Sequence, residues 1–223
     1  MKVAAFIPIK LNSERLPNKN ILPFKNGKPL VHYIQKTLLQ VKNIDAIYVY
    51  CSDISINEYI LSGIHYLSRS RHLDRSDVPF NEVLKSFALE VKADYYVLTH
   101  ATSPFIRPES IQKGIDKVLF ENYDSAVGVK RLYEFLWKDN RPLNYSLTNI
   151  PRTQDLPLIY AETCGLYIYS RELILNQNRR IGDNPYFVEL SKIESIDIND
   201  KEDFIIAESV YNNLILGGNN EHI

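Results

Sequence analysis

Val3-Ala4-Ala5-Phe6-Ile7-Pro8-Ile9 runs without a break into Lys10-Leu11-Asn12-Ser13-Glu14-Arg15-Leu16-Pro17-Asn18-Lys19-Asn20. A continuous apolar run this short reads as a strand buried on both faces, the kind found in parallel sheets. The polar loop that follows it carries Lys10, Arg15 and Lys19 with Asn12, Ser13 and Asn20. Cations and small hydrogen-bonding side chains just past the end of a first parallel strand form a receptacle for polyphosphate. The competing reading is a solvated loop that binds nothing.

Outward from that stretch the chain alternates. After the turn at Asn26-Gly27-Lys28, a helix is expected to open at Pro29, with Leu30, Val31, Ile34, Leu38 and Val41 on one face. Strands are expected at 47–51, 64–67 and 95–99, a short helix near 54–61, and longer helices at 80–91 and after Pro108. This alternation specifies an α/β fold whose mainly parallel sheet is covered on both faces. Ligands of such sheets sit beyond the carboxyl ends of the strands. The polar clusters fall there, at 10–20, Ser52-Asp53, 69–81 and 100–107. From Leu132 to Pro157 no period is sustained, and Pro142, Pro151 and Pro157 mark an irregular excursion. A strand is expected to return at 164–169 and another at 193–198, before Asn199 or Asp200 caps a last helix. That helix carries Phe204, Ile205, Ala207, Glu208, Tyr211 and Leu214, and Gly217-Gly218-Asn219-Asn220 reads as a frayed tail.

Composition narrows the function classes. With Lys+Arg 26 against Asp+Glu 27, the formal net charge of -1 gives no bulk attraction to nucleic acid or an anionic membrane. Positive charge is local, which suits a small anionic ligand. No apolar run approaches the roughly 20 residues that span a bilayer, so a single cytoplasmic domain over 1–223 is expected. Cys51 and Cys164 are expected as buried free thiols, with neither disulfide nor metal-ligand spacing. His32, His65 and Trp137 are expected to pack rather than catalyse.

The ordered segments resemble the acylneuraminate cytidylyltransferases (CMP-sialic acid synthetases) and their kin acting on other 3-deoxy-2-ulosonic acids. The stretch Ile7 to Asn20 is similar to the family's first motif. Ser52-Asp53, the 69–77 loop, Thr102-Ser103-Pro104, Pro151-Arg152-Thr153-Gln154-Asp155-Leu156-Pro157 and Ser195-Ile196-Asp197-Ile198 follow at familiar distances. The resemblance implies a Rossmann-like three-layer nucleotidyltransferase fold. It also implies a protruding dimerisation arm at about 131–160 and a homodimer whose arms help close the sugar sites. The implied reaction joins CTP to a nonulosonic or related sugar acid, with Mg²⁺, to make a CMP-sugar for surface glycans or lipopolysaccharide.

Residue by residue, the resemblance assigns Lys10, Lys19 and Asp197 to catalysis, with Lys10 standing where the family usually has Arg. Leu11, Asn12, Ser13, Asn20, Ser52, Asp53, Arg69 and Asn81 fall to the nucleotide, Arg71 competing with Arg69 because the local alignment can slip. His100, Thr102, Ser103, Arg107, Arg152, Gln154 and Glu162 fall to the acceptor. Asp197 falls to the metal, with Asn199 either a ligand through its amide oxygen or only a helix cap.

Three departures stand out. Asn199 replaces the family's second metal aspartate, and His100 replaces a glutamine, introducing a group that titrates near neutrality. Glu162 places an acid where related enzymes carry a cation. Tyr186 and Phe187 are expected to pack in the core rather than line an acyl pocket. Two alternatives follow: a nucleotidyltransferase with another nucleotide or acceptor, or a degenerate dimeric protein that binds nucleotide or sugar without turnover.

Overall fold

A computed structural model describes residues 1–216. Its main sheet has seven strands: β1 (Val3–Ile9), β2 (Ala46–Cys51), β3 (His65–Ser68), β4 (Tyr95–Thr99), β5 (Ser125–Leu132), β8 (Ile159–Ser170) and β9 (Pro185–Glu189). The two-residue strands β6 (Trp137–Lys138) and β7 (Arg141–Pro142) form a separate ribbon. The order across the main sheet is β3-β2-β1-β4-β8-β5-β9, and β8 alone runs against its neighbours.

The period of two in β1 decides which layer each residue joins. Val3, Ala5, Ile7 and Ile9 pack with α1 (Val31–Leu38) and α3 (Pro108–Phe120). Ala4 and Phe6 pack with α2 (Phe80–Glu90) and α4 (Arg171–Gln177) on the opposite face. This gives the expected helix–sheet–helix sandwich. A third, aromatic cluster of Phe24, Leu30, Phe105, Ile198, Ala207 and Tyr211 seats α5 (Lys201–Val210) against the end of the sheet.

Chain order reverses between β1 and β4. From β1 the chain steps outward to β2 and β3, then returns to place β4 on β1's other side. The loops after β1 and β4 therefore leave the carboxyl ends of neighbouring strands side by side, both leading to helices of the same layer, and the crevice opens beyond those ends.

Several expectations need correction. The helix expected from Pro29 begins at Val31 and stops at Leu38, leaving Val41 buried but outside it. Residues 54–59 form a 3₁₀ turn rather than an α-helix. Residues 193–198 are not a strand. Their backbone turns, Ile196 N–H donating to Ile193 and Ile198 N–H to Thr102. The edge strand is β9 instead, with Tyr186 half-buried and Phe187 exposed. Cys164 is exposed with φ of 58°, at an irregularity where the β5–β8 register jumps between Val127 and Val129. Thr163 Oγ1 bonds the Gly128 carbonyl at 3.0 Å there, and Cys51 is buried as expected. Trp137 is exposed, and so is His65, which lies against the Tyr48 ring. The expected tail at 217–220 lies outside the described residues. No described helix is long and apolar enough to cross a membrane.

Candidate active site

The crevice between the β1 and β4 loops is a cleft of about 290 Å³. Lys10, Ser13, Lys19, Asn20, Arg69, His100 and Thr102 all line it. Arg15, Ser76 and Asn199 line an adjoining recess of similar size that shares Lys10, Ser13 and Lys19. Three cations of the first loop thus converge on one continuous hollow at the reversal point.

Bonds to distant chain hold that loop in shape. Asn20 is buried and donates from Nδ2 to the Lys10 carbonyl at 3.0 Å, closing the loop on itself. Asn18 takes the left-handed conformation, φ 56°, which asparagine tolerates better than most residues. Lys19 Nζ donates to the Ile198 carbonyl at 3.0 Å, and Arg15 Nη2 donates to Asn199 Oδ1 at 2.9 Å. Burial lowers the Lys19 pKa; the Asp197 and Asp203 carboxylates oppose this, and the cations Arg15 and Lys10 add to it. An anion entering the hollow meets a partly desolvated ammonium that has fewer waters to shed.

Asp197 follows from the turn that replaced the expected strand. The buried Ile198 anchors it, and Asn199 Nδ2 donates to Asp197 Oδ2 at 2.9 Å. Asp200, not Asn199, caps α5, accepting from the Glu202 and Asp203 N–H groups. Asn199 is no free ligand either: its Oδ1 is engaged by Arg15 and its N–H by Asp203. The described residues contain no group of three or more His, Cys, Asp or Glu that could hold a metal. Asp197 keeps one carboxylate oxygen without a partner among the described residues, which fits a cation such as Mg²⁺ that takes one or two carboxylates and fills its shell with phosphate and water.

The opposite wall is a packed ion pair. Arg69 Nη2 meets Asp74 Oδ1 at 2.6 Å, both side chains nearly inaccessible, and Ser52 Oγ also bonds Asp74. Ser52 therefore ties the 69–74 segment to β2 instead of facing the cleft. Asp53 caps the 54–59 turn through the Ser55 N–H. Among the described residues, Arg69 Nε is buried without a partner. Arg71 is exposed and lines neither hollow, whereas Arg75 lines the cleft and pairs with Asp77.

His100 is half-buried beneath Phe80, ring centroids 5.5 Å apart. Burial first, then the charges of Arg180 and Lys19, push its pKa down to about 4. The expected titration near neutrality is thus corrected: the imidazole is neutral at physiological pH. Glu162 is also accounted for. Tyr167 donates its hydroxyl to Glu162 Oε2 at 2.7 Å, and Arg180 Nη2 lies 3.7 Å from the same oxygen.

The remaining assignments spread over the molecule. Leu11 packs on the core, and Asn12 is exposed outside both hollows. Asn81 donates to the Asn178 carbonyl at 2.6 Å. Ser103 is buried against Gly165, where a Cβ would come within 2.6 Å of its Oγ. Arg107 precedes α3 and faces Glu194 at 4.0 Å. Arg152 is exposed and pairs with Asp155, and Gln154 is exposed beside it. None of these lines the cleft or its recess. Conversely, Arg75 and Ser76 line the hollows without having been named individually, and Arg15, one of the expected loop cations, had been given no role of its own. Arg180 carried no motif at all.

Comparisons with known proteins agree with this geometry. The chain is 24% identical over 216 residues to N-acylneuraminate cytidylyltransferase A of Danio rerio, covering 92% of this chain and 50% of that protein. It is 26% identical over 200 residues to 8-amino-3,8-dideoxy-manno-octulosonate cytidylyltransferase of Shewanella loihica, covering 80% of this chain and 79% of that one. The chain spans about half the length of the first curated relatives it matches. Among solved structures, a CMP:2-keto-3-deoxy-manno-octonic acid synthetase complexed with CTP superposes with a TM-score of 0.72 at 16% identity, covering 96% of this chain and 99% of that one. The 4-diphosphocytidyl-2C-methyl-D-erythritol synthase of Anaerococcus prevotii follows at 0.65 and 16%, covering 95% and 96%. At these identities the structures speak for the fold alone. The cytidylyltransferase family model matches residues 4–196, nearly the whole sheet and both walls of the cleft, and the chain belongs to that family.

Proposed function

We propose that this protein is a nucleotidyltransferase that joins CTP to a 2-keto-3-deoxy sugar acid, releasing pyrophosphate and forming a CMP-sugar. The observation that carries this reading is the convergence of Lys10, Arg15 and Lys19 on one hollow at the reversal point, with Asp197 beside Lys19. The named substrates of the relatives, N-acylneuraminate and an amino-octulosonate, favour this acceptor class.

In the proposed step the acceptor's anomeric hydroxyl oxygen bonds to the α-phosphorus while the bond to the β-phosphate bridge oxygen breaks. The hydroxyl proton passes to water, and pyrophosphate carries away the negative charge. Lys19 and Lys10 hold the triphosphate and offset charge on its oxygens, and Arg15 takes the outer phosphates with its planar fork. Ser13 donates a hydroxyl to the same oxygens. Thr102 borders the acceptor, and Arg69, with its unpartnered Nε, stands at the base end. Asp197 would hold Mg²⁺, which would supply Lewis-acid polarisation of the phosphate oxygens.

The segment at about 131–160 is proposed as a dimerisation arm whose Arg152 and Gln154 reach the partner's acceptor site. Trp137, Leu143, Leu147 and Ile150 are exposed on it, an apolar set that a second copy would cover. Dependence on CTP favours the cytoplasm as the place of action, and surface glycans or lipopolysaccharide as the destination of the product.

The test is pyrophosphate release with Mg²⁺ and each of the four nucleoside triphosphates, against a panel of nonulosonic and 3-deoxy-ulosonic acids. Release that needs both CTP and one acid is expected. Release with another nucleotide, or CTP binding without release on any acid, would replace this reading by one of its two alternatives.

A further inference from the structure

Beyond the polyphosphate hollow, one cation outside the cleft's own lining stands behind its wall residue Phe80. Arg180 lies in the turn between α4 and β9, and three contacts fix its guanidinium. It stacks over the Tyr167 ring at 3.9 Å from the centroid and lies 5.8 Å from that of Phe80. Its Nη2 donates to the Tyr167 hydroxyl at 3.0 Å. The Glu162 carboxylate stands at 3.7 Å, beyond hydrogen-bond reach, so it balances the charge without consuming the donors. Of the five N–H bonds of the guanidinium, one has a protein acceptor among the described residues. The side chain is 26% exposed.

Its place relative to the cleft is set by neighbours on both sides. Phe80 and His100 line the cleft, and Arg180 borders Phe80. Asn81, next to Phe80, ties α2 to the Asn178 carbonyl, two residues before Arg180. The register jump in β8 folds Glu162 back onto Tyr167, which makes the platform under the guanidinium. Burial and the bond to Glu162 keep the Tyr167 phenol protonated, so its oxygen can accept from Arg180 while donating to Glu162. An aromatic bed, one counter-charge and N–H groups without an acceptor among the described residues are the ordinary equipment for receiving a carboxylate.

We propose that Arg180 is the specificity-determining residue that receives the acceptor's carboxylate, held in place by Tyr167 and Glu162. The proposal rests on the reading of the cleft as a CTP-dependent acceptor site, and it resolves the puzzle of Glu162. The acid does not meet the acceptor directly; it orders a cation drawn from another segment. Tyr167 and Glu162 are positioning residues.

The experiment is calorimetric binding to the full chain, first of CTP, then of acceptor with a non-hydrolysable CTP analogue present. The probes are 2-keto-3-deoxy-manno-octonic acid and N-acetylneuraminic acid, each beside its carboxamide, which keeps the shape and loses the charge. Wild type is expected to prefer one of the acids to its amide. In Arg180→Ala that acid should bind on the order of 30-fold more weakly, the amide should change little, and CTP affinity should hold. Arg180→Lys should restore part of the preference, because it returns the charge without the fork, and Tyr167→Phe should weaken acid binding by a smaller factor. An unchanged acid-to-amide ratio in a folded Arg180→Ala protein would overturn the proposal. So would a wild type that binds CTP but neither acid, or an Arg180→Ala variant in which acid and amide weaken equally. A wild type that binds no CTP would instead sink the reading of the cleft itself.

Discussion

Two irregular segments, 10–20 and 133–158, look alike in sequence: both are polar, proline-containing and without period. In the structure they are opposites. The first is bonded to residues nearly the whole chain away, through Lys19 to Ile198 and Arg15 to Asn199. The second is bonded to itself. Asn144 bridges Leu136 and Glu134, Arg152 pairs with Asp155, and the Tyr145 ring packs with Phe135 and Trp137. The first segment has its polar groups spent on fixing a shape around a hollow. The second keeps its shape by local bonds and leaves its apolar side chains outside. Long-range constraints give the first segment a fixed hollow; local ones leave the second with the exposed apolar side chains that the proposed arm would need.

The sharpest way to break this contrast is at Lys19. Lys19→Ala is expected to lower turnover by about a thousandfold in steady-state kinetics while the circular dichroism spectrum and melting temperature change little. Equal rates would make the first loop a solvated one after all. Next in size is deletion of the arm. Replacing 134–157 by a short linker should leave the melting of the sheet nearly intact and convert a dimer to monomers in sedimentation. A dimer that survives would detach the arm from assembly.

A third test addresses what holds residues 190–198. Glu194 is buried and accepts from the Arg107 and Ser191 N–H groups and from the Ser110 and Ser191 hydroxyls. Burial alone would raise its pKa; these bonds outweigh it and hold the carboxyl below its usual range. Its stabilisation is therefore present above the unfolded-state value and lost as pH falls through the folded one. Glu194→Ala should cost about 2–4 kcal/mol in denaturant unfolding.

The smallest effect is a pH signature at His100. Its folded pKa lies near 4 and its unfolded one near 6.5, so the unfolded chain takes the proton first, and stability falls as pH drops from 6.5 toward 4. His100→Gln should flatten that part of the unfolding profile and leave the neutral range untouched.

The parallel half of the fold was legible because β1, β2 and β4 are short apolar runs with helices of clear period between them. The strand at 193–198 was misread because Ile193, Ile196 and Ile198 imitate a buried edge. Their side chains enter the aromatic cluster around Phe24 from a turn, a contact no local pattern encodes. The β9 strand was missed because its outer face leaves Phe187 in solvent. Of the cleft's lining, Lys10, Ser13, Lys19, Asn20 and Arg69 were readable as a set because they follow strands, and Asp197, beside Lys19, because it joins a spaced motif. Arg180 was not, since its meaning comes from Tyr167 and Phe80, brought beside it only by the fold. Ser52 and Ser103 erred the other way: small polar residues near strand ends can serve the scaffold as readily as a ligand.

The Arg15–Asn199 and Lys19–Ile198 bonds also have a consequence in time. They join sites 184 and 179 positions apart, so the loop that synthesis delivers first gains these two restraints only when the segment around 198 has left the ribosome. The parallel strands can pair earlier, since their contacts are nearer in sequence. A nascent chain stalled short of Asp197 would thus carry sheet without a set hollow, and nucleotide affinity would appear late and abruptly, as a marker that synthesis has passed that point.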